Sequence, residues 1–191
     1  MTLIHTPSGR LALRAALRPG DLAAILAAHV REYVDGRAYS LRFEAYVAQG
    51  LAAFVLDSDP ARERVWLAED ADGGLAGCVG IVDAGCGRAQ LRWLLVAPPW
   101  RGKGVGAALL REAVAFTRAC GYRSVTLRTV SELEEAANLY RREGFELVEE
   151  KPNTEWAART LIEQRYERDL TPDGSPAPCS PSPFPGRRLH L

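Results

Sequence analysis

Apolar and polar residues alternate along the chain at two kinds of interval, and these intervals predict the order of the elements. Alternation over residues 11–17 predicts a strand. Pro19 and Gly20 break that strand, and Asp21 suits the N-cap of a helix that carries apolar residues as far as Tyr33. Helical spacing resumes after Ser40, which predicts a second helix.

The middle of the chain returns to short runs typical of strands. Residues 65–69 and 75–83 predict two strands, and the turn-forming stretch 70–74 between them predicts a hairpin. A further strand is expected over residues 89–96, before two consecutive prolines.

A glycine-rich loop and the clearest helical pattern follow. The apolar stripe of this helix runs from Val105 to Cys120, and Gly121 suits its C-terminal end. A strand is expected at 124–129, and Ser131 with Glu134 has the form of a capping box for a helix that ends at Gly144. The last two strands are expected at 145–150 and 161–170.

The length of 191 residues suits one domain with a substantial core. The pattern places this domain at residues 11–170, after an N-terminal extension at 1–10. Residues 171–191 are rich in Pro and Ser and have no apolar period, so they predict a flexible tail.

Charge and composition narrow the expected partners. Lysine plus arginine equals aspartate plus glutamate, so no overall basic field favours nucleic acid or an anionic membrane. The first ten residues lack an apolar run and no stretch is long enough to span a bilayer, so we expect a cytoplasmic protein. No Cys or His spacing predicts a metal site.

The segment from Arg101 to Gly106 is the most informative for chemistry. Its glycines allow a close approach of the main chain to a ligand, and a helix N-terminus with unpaired N–H groups follows directly. From the residues alone, three interpretations stay open: a connection without ligand, a dinucleotide site, and a coenzyme A pyrophosphate site. A P-loop is excluded because Gly102-Lys103 is followed by Gly104 rather than Ser or Thr.

Two motifs in order favour the third interpretation. The run VAPPWRGKGVG, residues 96–106, resembles the acetyl-CoA signature V-x-P-x-x-R-x-x-G-x-G/A of the GNAT superfamily of N-acetyltransferases. The run AANLYRREGF, residues 136–145, resembles its second motif, A-x-x-x-Y-x-x-x-G-F. Residues 91–106 and 144–170 are most similar to acetyltransferase domains found fused to MarR-type regulators, of which this chain would be a free-standing relative.

The resemblance implies an α/β fold with a mixed, mostly antiparallel sheet and helices on both faces. It also implies transfer of an acetyl group from acetyl-CoA to a primary amine, by direct attack and without a metal. The expected partner is a small-molecule or peptide amine, with no nucleic acid or membrane, and a homodimer is left open.

The resemblance assigns roles to particular positions. Main-chain N–H groups near Leu95 and Val96 would stabilise the carbonyl oxygen of the thioester as it becomes negative. Tyr140 would protonate the departing thiolate. The pyrophosphate would lie against a single stretch of main chain, formed by Arg101, Gly102, Lys103, Gly104, Val105, Gly106 and Ala107.

Two positions depart from the family pattern. Gln90 stands where many members have Glu, and Leu133 where many have Asn. Gln cannot act as a base, so the proton of the amine would be relayed by ordered water or by Glu69. For Glu69, the interpretation as a plain surface carboxylate stays equally open. His29 is expected to be a packed residue. The amine is expected to be selected by residues 33–46 and 151–160, with charged candidates at Arg31, Glu32, Asp35, Arg37 and Glu44.

Two other functions therefore remain open as alternatives. A non-catalytic module that binds acyl-CoA for regulation would fit the loss of the usual Glu and Asn. A nucleotide-dependent oxidoreductase would bind NAD instead, but the strand at 124–129 lacks the acidic residue that such a site needs.

Overall fold

One sheet of eight strands runs through the part of the chain that the computed structural model describes, residues 2–6 and 9–171. The strands are Thr2–Thr6 (β1), Gly9–Arg14 (β2), Arg64–Glu69 (β3), Leu75–Asp83 (β4), Arg88–Val96 (β5), Ser124–Val130 (β6), Glu146–Asn153 (β7) and Leu161–Asp169 (β8). Their order across the sheet is β1-β2-β3-β4-β5-β6-β8-β7. The pairing of β5 with β6 is parallel, and the other neighbouring strands pair antiparallel.

Four α-helices connect these strands. They are Asp21–His29 (α1), Leu41–Asp57 (α2), Val105–Ala119 (α3) and Glu134–Arg142 (α4). A π-helical segment at Val30–Asp35 extends α1, and a short 3₁₀ turn at Pro98–Trp100 precedes the glycine loop.

The helices cover both faces of the sheet, as expected from the resemblance. On one face, Ile25 of α1 and Phe43 of α2 pack into a core that includes Trp93 and Leu95 of β5. On the opposite face, Leu109 of α3 lies in a second core with residues of α4 and β6. The expected mixed α/β fold with a mostly antiparallel sheet is therefore confirmed.

Both helix N-caps predicted from the sequence are wrong. Gly20, in a left-handed conformation, is the N-cap of α1, and Leu133 is the N-cap of α4 without any side-chain cap bond. The Asp21 carboxylate instead pairs with Arg14 at 2.7 Å and accepts the N–H of Arg18. An ionised arginine is a stronger partner for a half-buried carboxylate than a helix amide, which explains the difference.

The N-terminal residues contain a strand that the pattern did not indicate. β1 pairs with β2 along its length, from Thr2 opposite Leu13 to Thr6 opposite Gly9. The domain boundary at residue 11 stays a prediction. The predicted tail at 171–191 lies, beyond Thr171, outside the described residues.

A β-bulge in β5 sets the shape of the middle of the sheet. Cys78 pairs with Leu95, but Gly80 pairs with Arg92, so one residue of β4 faces two of β5. Trp93 has a φ of 54°, a left-handed conformation that is uncommon outside glycine. Arg92 and Trp93, although consecutive, therefore both contact α2, through Tyr46 and Phe54 respectively.

Gly80 makes room for this bulge, which gives a test of its importance. A Cβ atom at Gly80 would lie 2.5 Å from the Trp93 ring, so Gly80→Ala must displace a packed indole. We expect a loss of about 1–3 kcal/mol in the free energy of unfolding, measured by urea denaturation.

Gly74→Ala is the matched control for this substitution. The nearest atoms to its added Cβ belong to the Asp70 carboxylate on an exposed turn, which can move away. A loss below about 0.5 kcal/mol is expected there. Equal losses for the two variants would show that the bulge does not depend on Gly80.

Candidate functional site

The site lies where β5 and β6 separate. Their parallel pairing ends with Leu91 opposite Leu127, although β5 continues to Val96 and β6 to Val130. This separation leaves a gap in the centre of the sheet.

Two cavities meet at this gap. The loop cleft, of about 1070 Å³, lies beside the glycine loop and the start of α4. The inner cavity, of about 130 Å³, lies beneath α1, the π-helical segment and α2. Both are lined by Tyr33, Leu94, Leu133, Ala136 and Tyr140.

The glycine loop presents a run of unpaired main-chain donors to the loop cleft. The first hydrogen bond of α3 runs from Ala108 N–H to the carbonyl of Gly104. None of the six N–H groups at positions 102–107 donates to an acceptor within the described residues. Six free amides at a helix N-terminus form a strong site for an anion.

Local conformation explains why this loop needs glycine. Gly102 and Gly104 have φ values of 69° and 81°, which residues with a side chain rarely adopt. Gly106 lies between the strand end and α4, and a Cβ there would be 3.3 Å from Leu139 and 3.4 Å from Val96. The main chain can therefore approach a ligand closely.

The two basic side chains of the loop do not point freely into the cleft. Arg101 forms an ion pair with Glu32 and donates its Nε–H to the Val96 carbonyl at 3.1 Å. The Lys103 ammonium lies over the Trp100 ring, 5.3 Å from its centre, and Lys103 does not line the cleft. Anion binding at this site therefore rests on the main chain more than on side-chain charge.

The two amides predicted to stabilise a carbonyl oxygen face opposite directions. Ala97 N–H donates to the Ala76 carbonyl in β4. Because donors alternate sides along a strand, the Leu95 N–H also faces β4, where it hydrogen-bonds the Cys78 thiol. The Val96 N–H faces the gap, so Val96 has the orientation of a donor to the cleft and Leu95 forms part of its wall.

Tyr140 lies at the junction of the two cavities. Its side chain is 5% exposed, and its ring packs against Phe145 and Tyr166 at 6.1 and 5.8 Å between centres. Its hydroxyl has no hydrogen-bond partner among the described residues. Burial, with a smaller contribution from Tyr33, raises the pKa of Tyr140 well above its ordinary range, so it stays protonated.

The expected proton relay through Glu69 is wrong. Glu69 lines neither cavity. Its carboxylate lies 2.5 Å from the guanidinium of Arg14 in β2, on the side of β3 that faces away from β4 and β5. The Arg14 guanidinium already holds Asp21, so these three residues form a structural cluster between β2, β3 and α1.

The inner cavity contains a residue that the sequence analysis treated only as packing. His29 is 4% exposed and lines the cavity, and its Nδ1 lies 2.9 Å from the carbonyl of Ile25. Burial lowers the pKa of His29, so the ring is neutral, with Nδ1–H as the donor and Nε2 as a free acceptor. Gln90 lines the same cavity.

The segments expected to select the amine do form the inner cavity, but through aromatic side chains. Residues 33–46 and 151–160 contribute Tyr33, Tyr39, Phe43, Tyr46 and Trp156.

The charged candidates for this selection lie elsewhere. Glu32 and Arg37 line the loop cleft, whereas Arg31, Asp35 and Glu44 line neither cavity. Arg92 also lines the inner cavity and was not among the predicted residues; its signal in the sequence is a charge between the apolar residues Leu91 and Trp93.

Residues 2–6 and 9–171 contain no group of three or more His, Cys, Asp or Glu that could hold a metal ion. None of their helices combines the length and the apolar character needed to cross a bilayer.

Comparison with known proteins gives consistent matches. A family model described as an acetyltransferase (GNAT) domain matches residues 61–147. An uncharacterized N-acetyltransferase of Schizosaccharomyces pombe is 31% identical over 121 residues, which are 63% of this chain and 74% of that protein. Streptothricin acetyltransferase of Streptomyces lavendulae is 36% identical over 90 residues, 47% of this chain and 48% of that enzyme.

Solved structures share the fold. The Salmonella typhimurium protein yncA, solved with its cofactor acetyl-CoA, matches with a TM-score of 0.65 at 20% identity, covering 88% of this chain and 99% of that one.

Proposed function

The chain belongs to the GNAT family of acetyltransferases and is an acetyl-CoA-dependent N-acetyltransferase, and we propose that a primary amine attacks the thioester directly in a ternary complex. The observation that carries this proposal is the array of free amides at residues 102–107, which opens onto a cleft that meets a second cavity at Tyr140. Donor and acceptor can thus approach each other from opposite sides of the gap between β5 and β6.

The loop cleft fits acetyl-CoA, which supplies an acetyl group activated as a thioester. The amides of residues 102–107 would hold its pyrophosphate, with the N-terminal dipole of α3 adding to the attraction. The pantetheine arm would follow the open edge of β5, where the Val96 N–H would donate to the carbonyl oxygen. That donor becomes more effective as negative charge develops on the oxygen.

Tyr140 would supply the proton for the leaving thiolate. Its hydroxyl has no competing partner among the described residues, and it stays protonated at neutral pH because burial raises its pKa. The new C–N bond forms as the C–S bond breaks, and the hydroxyl proton passes to sulfur. The attacking nitrogen then loses its second proton, which restores the Tyr140 hydroxyl. A thiol with a pKa of about 8.5 leaves fairly well unaided, so this assistance should be moderate.

His29 would take the proton that the amine must lose. An alkylammonium group has a pKa of about 10 and is not nucleophilic until it is deprotonated. Nε2 of the neutral His29 ring is a free acceptor in the cavity wall, and Gln90 beside it cannot accept a proton. Glu32 favours the charged form of His29, but burial outweighs it.

We further propose that the acceptor is a small molecule. The inner cavity, of about 130 Å³, is comparable to a cavity that holds a benzene ring, about 150 Å³. Streptothricin acetyltransferase is similar to nearly half of this chain, so streptothricin belongs in the panel of amines.

The likeness to domains fused to MarR-type regulators, the cytoplasmic location and the domain limits stay predictions.

The proposed function is tested by titration calorimetry with acetyl-CoA, coenzyme A and NAD, followed by thiol release with a panel of amines. Binding of acetyl-CoA with release on particular amines is expected. Binding without thiol release on any amine would instead favour the non-catalytic acyl-CoA module, with which Gln90 and Leu133 are compatible. Binding of NAD alone would contradict the assignment.

Ala107→Glu tests the position of the pyrophosphate. Ala107, the third residue of α3, lines the cleft, so a carboxylate there would compete with the pyrophosphate for the free amides. The helix itself should stay stable, because an acidic residue in the first turn interacts favourably with the helix dipole. We expect the dissociation constant for acetyl-CoA to rise at least about tenfold relative to Ala107→Gln, which matches it in size. Equal affinities for the two variants would place the pyrophosphate elsewhere.

Tyr140→Phe tests the proton donor. We expect kcat to fall roughly 10- to 100-fold with little change in the affinity for acetyl-CoA, because only the hydroxyl is removed. Tyr166→Phe is the control, since Tyr166 packs against Tyr140 but lines neither cavity. If both variants keep full turnover, Tyr140 is a packing residue.

His29→Gln tests the proton acceptor through its pH profile. Because burial lowers the pKa of His29, protonation of its ring should reduce the wild-type kcat/KM only below a pH of about 6.5. The variant should have a lower kcat and no such acidic limb. Tyr39→Phe, in the same cavity wall, should keep the wild-type profile. An unchanged acidic limb in His29→Gln would assign the proton acceptor to another group.

A further inference from the structure

Arg92 is a buried cation that has no counterion among residues 2–6 and 9–171. Its side chain lines the inner cavity and the residue is 7% exposed. Its Nη2 atom is buried with no hydrogen-bond acceptor, and no other atom of its guanidinium has one among the described residues. Burial lowers its pKa, and Tyr46 is the group that opposes this effect, with no carboxylate contributing.

The rest of the cavity wall does not compensate this charge. In the part of the chain that the structure describes, no Asp or Glu lines the inner cavity. Arg128 is the other cation in its wall, and Arg128 is already paired with the buried Glu163. An excess positive charge therefore remains at Arg92, in a wall otherwise formed by neutral and aromatic residues.

The surroundings hold the guanidinium firmly in place. Its carbon lies 5.0 Å from the ring centre of Tyr46 and 4.9 Å from that of Trp93. Gly50 of α2 leaves the space it occupies, because a Cβ at that position would be 2.7 Å from Nη2. Glycine inside a helix is less stabilising than alanine, so α2 loses some stability where it makes room for this cation.

Aromatic rings do not replace an anion. Contacts of a cation with aromatic faces recover only part of the free energy that is lost when an ion is removed from water. An arginine fork binds a carboxylate through two parallel hydrogen bonds, which satisfies both the charge and the unpaired donors.

We propose that Arg92 binds a carboxylate of the acceptor, so that the substrate class is small molecules bearing both a primary amine and a carboxylate, such as free amino acids. This inference rests on the proposed function and specifies its acceptor. With the carboxylate at Arg92, the amine of such a molecule lies within the same cavity as His29 and Tyr140. A cavity of about 130 Å³ suits a molecule of this size.

The first test compares acceptors that differ only in this charge. Thiol release from acetyl-CoA is measured with three free amino acids, L-leucine, L-glutamine and L-phenylalanine, and with the α-carboxamide of each. We expect wild-type kcat/KM to favour at least one acid over its amide by about 100-fold or more, since the amide leaves the cation unpaired.

Two variants connect this preference to Arg92. Arg92→Met keeps the length of the side chain without charge, and we expect it to reduce the preference to within about tenfold. Arg92→Lys keeps the charge without the fork and should be intermediate. Arg64→Met is the control, because Arg64 also lies over an aromatic ring, that of Phe116 at 4.3 Å, but lines neither cavity.

A binding measurement separates this inference from the proposed function. Thermal denaturation in the presence of acetyl-CoA should show a rise in melting temperature with the acids and not with the amides, in wild type and Arg64→Met but not in Arg92→Met. Equal use of acids and amides, or a preference that survives Arg92→Met, would overturn the role of Arg92 and leave the acetyltransferase assignment intact. Loss of acetyl-CoA binding itself would instead overturn the proposed function.

Discussion

The β-bulge at Trp93 is the constraint on which the site depends. It lies immediately after the last parallel pair between β5 and β6, at Leu91, so the two strands separate from that point. It also turns Arg92 and Trp93 toward the same face, although consecutive strand residues normally alternate. The bulge thus accounts for both the gap between the strands and the charge in the inner cavity. Gly80 on β4 leaves the space that the Trp93 ring occupies at this bulge.

The site uses buried polar groups in two different ways. On the loop side, the main chain of residues 102–107 provides donors whose partners must come from outside the described structure. On the inner side, burial keeps His29 neutral and Tyr140 protonated, so one can accept a proton and the other can donate one at neutral pH. Arg92 remains charged without a partner, and its surroundings place that charge where an acceptor would bind.

Local patterns predicted most of the elements well. The limits of β4 agree with the prediction, and α2 begins at Leu41, directly after Ser40, as expected. Helix N-caps were less predictable because a side chain of the right type can find a stronger partner outside the helix. Asp21 had the right residue type for a cap, but Arg14 from a neighbouring strand provides a stronger partner.

The sequence by itself determined the fold class, the glycine loop and the position of Tyr140, because these depend on short motifs and on apolar periods. Only the tertiary structure decided which side chains share the inner cavity. His29, Arg92 and Tyr140 come from three separate elements, and their protonation and pairing depend on burial by residues remote in sequence. The bulge was equally invisible in the sequence, since it arises from the fit of an indole against a glycine on the neighbouring strand.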